Sequence, residues 1–139
     1  MRLLFSMVAL AMGVFLATVP ANAHHAFAAE FDADKPISLV GTVTKLEWVN
    51  PHIWIHMDVK GPDGKVVTWR FEGGAPNALY RRGWTKNSLK VGDEITANGY
   101  LAKDGTPTAN ARSVVMPTGK EFGAGSSIGN AARGGEGGR

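Results

Sequence analysis

The sharpest pattern in the chain runs from His52 to Val59, where apolar and polar residues alternate without a break. Ile53, Ile55, Met57 and Val59 fall on one face, and His52, Trp54, His56 and Asp58 on the other. A period of two marks a strand with one face buried and one facing outward. Ahead of it, residues 38–48 (SLVGTVTKLEW) are rich in β-branched side chains and predict a first strand, with Gly41 marking a bulge. Asn50-Pro51 separates the two. Gly61-Pro62-Asp63-Gly64 predicts a hairpin turn. A third strand then follows from Lys65 to Gly73, with Val67, Trp69 and Phe71 opposite Thr68, Arg70 and Glu72. There the alternation lapses. Pro76 opens a short helix that reaches Arg82 and that Gly83 ends; Trp84 and Leu89 are expected to plug the end of the fold beside it. Val91-Gly92-Asp93 turns into a fourth strand, Glu94 to Leu101, and Lys103-Asp104-Gly105 into a fifth, Thr108 to Met116.

Three strands in a meander, one short helix and two further strands is the element order of a five-stranded OB-like Greek-key barrel. The class is all-β with a small helical contribution. An open β-sandwich of similar strand count is the competing architecture. The barrel is preferred because a lone helix between strands three and four is what closes its bottom.

The two ends of the chain read differently from its middle. Arg2 is the only charge before Glu30 and precedes the apolar run Leu3 to Leu16, too short for a stable span but suited to a signal peptide. Ala21-Asn22-Ala23 is a small-x-small triplet of the kind signal peptidase cuts after. Residues 1–23 are therefore expected to be a removed leader, 24–118 the domain, and 119–139 a disordered tail, since 8 of the 18 glycines fall there. Such a protein is periplasmic or secreted and holds no membrane segment once the leader is gone. The chain has no cysteine, which excludes disulfides and thiolate metal sites. Without Arg2, 14 basic residues face 12 acidic ones. The one short basic cluster, Arg81, Arg82, Lys86 and Lys90, reads as a solvated helix end and loop, and export argues against nucleic acid as the ligand.

Several stretches taken together resemble a known group: His24-His25-Ala26-Phe27, Gly41-Thr42-Val43, Trp48-Val49-Asn50-Pro51-His52, Arg82-Gly83-Trp84, Leu89-Lys90-Val91-Gly92-Asp93 and Lys103-Asp104-Gly105. As a set, across about residues 23–118, they resemble the small exported bacterial proteins catalogued as domain of unknown function 6152. That group usually reads His-His-Ser-Phe where this chain has Ala26. The resemblance implies an exported OB-like domain with no assigned activity, so any chemistry has to be read from the residues themselves.

All four histidines sit in two places. A cut after Ala23 would give His24 a free α-amine beside its imidazole. Amine and imidazole of His24 with one further histidine make a three-nitrogen site that suits Cu(II). The third ligand would be His52; an alternative set uses the amine, the next amide and His25. His52 and His56 lie about 13 Å apart along a strand, too far to share one ion, and His56 is expected to be an exposed cross-strand neighbour. The histidines are equally open to a reading without chemistry, as solvated termini and a cap on the Asn50-Pro51 bend. A second candidate is Trp54, which with Arg70 on the neighbouring strand could form a platform for a sugar, a base or another aromatic ligand. Against it stands a Trp54 covered by Phe27 or Phe31. The chain has no Gly-x-Ser-x-Gly elbow, His-Glu-x-x-His helix or phosphate-cradling loop, so catalysis is not supported and no catalytic residue is assigned. The expected function is an exported binding or accessory module for a small ligand or an exported protein, with copper at the mature N-terminus. A structural or interaction domain without a metal is the alternative, and a copper-dependent oxidoreductase ranks third.

Overall fold

The computed structural model describes residues 27–126. The expected leader, His24, His25 and residues 127–139 lie outside the described residues. The protein is mostly β. Six strands, β1 (Phe31–Glu47), β2 (Trp54–Lys60), β3 (Val66–Glu72), β4 (Glu94–Ala102), β5 (Thr108–Val115) and β6 (Glu121–Gly123), make up most of it, and a short helix, α1 (Pro76–Tyr80), lies between β3 and β4 in the chain. The sheet order is β3-β2-β1-β4-β5-β6, and β3 also pairs with β5. Pairing therefore runs in a closed circuit, β1–β2–β3–β5–β4 and back to β1. Every ladder is antiparallel except β3–β5, which is parallel and three pairs long: Arg70 with Thr108, Phe71 with Ala109 and Glu72 with Asn110.

Inside the circuit the alternation expected of β2 holds. Ile53, Ile55 and Met57 are fully buried, while His52, Trp54, His56 and Asp58 are half-buried on the outer face. On β3 only the C-terminal end reaches the core: Phe71 is buried, Trp69 partly so, and Val67 is exposed. The long first strand serves both halves of the circuit. Residues 36–42 pair with β4, and residues 42–47 pair with β2. The strand is longer than its sequence suggests because 31–37, which lacks sustained alternation, still pairs at Phe31, Pro36 and Ile37.

The bulge lies between Val43 and Lys45, not at Gly41. One extra residue, Thr44, shifts the register so that Val43 and Leu46, three apart, both turn inward. Gly41 has another duty. A Cβ there would sit 2.5 Å from the Asp58 carbonyl oxygen and 2.6 Å from Met57 Cε, so only glycine lets β1 cross β2 this closely. Gly99 plays the same part at a second bulge, where a Cβ would meet the Asn110 carbonyl oxygen at 2.2 Å. Arg112 is the extra residue there. Its carbonyl, freed from the β4 ladder, accepts the backbone N–H groups of Ala124 and Gly125 at 2.9 and 3.2 Å.

Those last bonds revise the domain boundary. The packed chain continues beyond residue 118, and a sixth strand adds to the expected five. Ala124 is fully buried, and the Gly74 amide donates to its carbonyl at 2.9 Å. Pro76 opens α1, and the chain turns at Gly83 so that Trp84 drops into the core beside Leu79 and Leu89. The buried Trp84 indole then donates from Nε1 to Gly123 O at 3.0 Å, and Arg82 from Nη1 to Gly125 O at 2.6 Å. Glycines of low hydropathy are thus ordered by what they offer as backbone acceptors. A chain ended at residue 118 leaves the Trp84 N–H without its acceptor, a loss of about 2 kcal/mol or more. The urea midpoint should fall accordingly; an unchanged midpoint would show that β6 is peripheral.

Candidate functional site

On the outer face of β2 and β3, Trp54 stands opposite Glu72 and Arg70 opposite His56. Trp54 and Arg70 are diagonal neighbours, a separation that long side chains bridge. The Arg70 guanidinium carbon lies 5.3 Å from the centre of the Trp54 ring, inside the range where a cation is attracted by an indole face. The two platform residues expected from the sequence are therefore brought together.

The closure of β3 on β5 raises a second wall beside them. Because Arg70 pairs with Thr108, the loop at 103–107 rises alongside the Trp54–Arg70 pair. The Arg70 backbone N–H donates to Pro107 O at 3.0 Å, and its Nη2 reaches Thr108 Oγ1 at 3.5 Å. Asp104 folds this loop onto itself, its Oδ1 accepting from the Thr106 amide at 2.9 Å and the Thr106 hydroxyl at 2.7 Å. Those two bonds hold the Asp104 carboxyl below the ordinary aspartate value, and the charge of Arg70 acts in the same direction.

Residues 29–31 make the third wall. The Lys103 amide donates to Glu30 O at 2.9 Å, and Lys103 Nζ to Ala28 O at 2.5 Å. Phe27 packs on Phe31 and Tyr100, with ring centres 5.8 and 6.0 Å away. Phe31 shares the cleft lining with Trp54, which stays half-buried. The three walls enclose a cleft of about 490 Å³ between Glu30, Trp54, Arg70, Asp104, Thr106 and Thr108, within the usual range for small-molecule sites.

The histidines are placed apart from this cleft's floor. His52 Nδ1 lies against the Glu72 carboxylate. Glu72 is buried, and burial pushes its carboxyl up; His52 pulls it back, and the charge of Glu30 pushes it further up. His56 is a cross-strand neighbour of Lys45 and Arg70, as expected, but half-buried where exposure was expected. Its Nε2 lies 3.5 Å from Glu47 Oε2. Among the described residues no three of His, Cys, Asp or Glu gather as a metal-binding group. His24 and His25 are not among those residues. Of the basic cluster, Arg82 is drawn into the Gly125 contact, and Arg81, Lys86 and Lys90 are exposed.

The model of a family of unknown function (DUF6152) matches residues 12–111. The chain belongs to this family. The DUF6152 match spans all three walls of the cleft and ends inside β5. No curated protein and no solved structure gives a match.

Five polar residues lining the cleft escaped the sequence reading: Glu30, Lys103, Asp104, Thr106 and Thr108. Asp104 carried a usable signal, since an Asp two residues ahead of Thr is the pattern of a self-capped turn. Glu30 carried none, because its position depends on backbone pairing with Lys103. The Asp104 bonds stabilise the loop above the ordinary carboxylate range, and that contribution is lost as pH falls through the depressed pKa. In an NMR titration Asp104 should titrate below an ordinary aspartate. Thr106→Val, which removes the hydroxyl and keeps the amide, should raise it part of the way back. An Asp104 that titrates at or above the ordinary value would show that the loop is not closed in this manner.

Proposed function

We propose that this protein is an exported binding or accessory module, OB-like and Greek-key in architecture, whose ligand site is the cleft floored by Trp54 and Arg70. The observation that carries this reading is the Arg70 guanidinium lying over Trp54 beside two walls that brace each other through Lys103. The pairing circuit, with its helix between β3 and β4, supports the OB-like reading. In that architecture the outer face of strands two and three, with the loop between strands four and five, holds the ligand. Export rests on the leader-like N-terminus and places the ligand in the periplasm or outside the cell. Among the described residues no helix is long and apolar enough to cross a membrane. A library of small water-soluble fragments, mapped by amide and indole shifts on the mature chain, tests the reading. Hits should cluster on Trp54, Arg70 and Thr106. Hits spread evenly over the surface would favour a structural or protein-interaction domain.

The His52–Glu72 pair supports a second reading, copper at the mature N-terminus. A carboxylate that takes one ring nitrogen of a histidine fixes the ring and leaves the other nitrogen to face outward, the usual arrangement around a metal ligand. His24 would supply amine and imidazole, His52 the third nitrogen, with His25 the alternative ligand. Intact mass of the exported protein with and without Cu(II) should show a chain starting at His24 that gains one copper. One residue added ahead of His24, or His52→Ala, should remove most of the affinity, Glu72→Gln about tenfold, and His56→Ala almost none. No copper binding tighter than about micromolar in the correctly cut protein would end this reading.

A further inference from the structure

The cleft's chemistry narrows its ligand, taking the binding reading above as the premise. Two cationic and two anionic side chains line it: Arg70 and Lys103, Glu30 and Asp104. The cations and anions balance, so the cleft has no field that would gather a polyanion. Lys103 is tethered at one of its three ammonium donors by Ala28 O. What remains is a set of planar groups that make hydrogen bonds in pairs. Arg70 makes one long side-chain hydrogen bond, to Thr108 Oγ1, and a guanidinium carries five donors. Asp104 uses Oδ1 for both of its bonds to Thr106, and a carboxylate has two acceptor oxygens.

We infer that the Trp54–Arg70 cleft binds a neutral saccharide. A sugar ring has one face of C–H groups and an edge of paired hydroxyls. The C–H face packs on the half-buried Trp54 indole as the Arg70 guanidinium, which lies over that ring in the free protein, swings aside to donate to the hydroxyl pairs, and the carboxylates accept from them. A nucleic acid would stack as well on the indole, but its phosphates would meet Glu30 and Asp104. The position also fits, because the equivalent face and loop of OB folds take oligosaccharides as well as oligonucleotides.

The test titrates the full mature chain with maltohexaose, cellohexaose and chitohexaose, and separately with an oligothymidylate, following the Trp54 indole resonance. At least one saccharide should shift it saturably. Trp54→Ala should weaken that binding tenfold or more, and Arg70→Lys, which keeps the charge but loses the planar fork, should weaken it severalfold. Raising salt from about 50 to about 500 mM should leave the affinity nearly unchanged, since a neutral ligand releases no counterions. Saturable binding of oligothymidylate alone, falling with salt, overturns the saccharide. If no saccharide shifts Trp54 while fragments still cluster in the cleft, the saccharide inference fails and the binding reading stands. If neither occurs, both fail.

Discussion

Three residue pairs hold this fold shut. The parallel ladder of Arg70, Phe71 and Glu72 against Thr108, Ala109 and Asn110 turns a row of antiparallel strands into a closed circuit. Parallel pairing is slightly weaker per residue than antiparallel, so so short a ladder needs help from packing. Phe71 and Ala109, its central pair, are both fully buried. Gly99 lets β4 approach Asn110 on the other side of β5. Without that approach, β5 could not stand against both neighbours at once.

The same closure makes the cleft. Arg70 belongs to both: its backbone N–H donates to Pro107, while its side chain lies over Trp54. Holding Arg70 by its backbone sets the guanidinium's origin before any ligand arrives, which lowers the ordering cost of binding. The loop at 103–107 is fixed at one end by that pairing and at the other by Lys103 bound to residues 28 and 30. Glu72, two pairs further along the ladder, is buried and met by His52. A lone buried carboxylate would be costly, and the contact with His52 Nδ1 offsets that cost while it orients the imidazole.

β2 was legible because it has one buried and one outer face, and β3 because its C-terminal half keeps Phe71 inward and Arg70 outward. Ile53, Ile55 and Met57 declare the core by alternation alone, and by exclusion place Trp54 outside. Arg70 follows from the same logic one strand later. What could not be read depends on contacts between residues far apart in sequence. The extra length of β1 comes from pairing with β4 and leaves no periodic trace. The bulge at Thr44 and the close approach at Gly41 are separate events that a glycine in a strand pattern conflates. Residues 119–126 look like tail because they are rich in glycine, whereas Phe122 packs on Trp84 and the fold uses the carbonyls of Gly123 and Gly125 to satisfy Trp84 and Arg82. Glu30 is brought to the cleft by the backbone bond that its carbonyl accepts from Lys103.

Amide hydrogen exchange at Arg70 tests the central claim most directly, since that N–H spans the closure to Pro107 O. If the β3–β5 ladder is integral, the Arg70 amide exchanges only as fast as the buried Ile55 amide, through opening of the whole domain. If Arg70 exchanges near the rate of an unprotected amide while Ile55 stays protected, the circuit is open, and the cleft built on it does not exist as described.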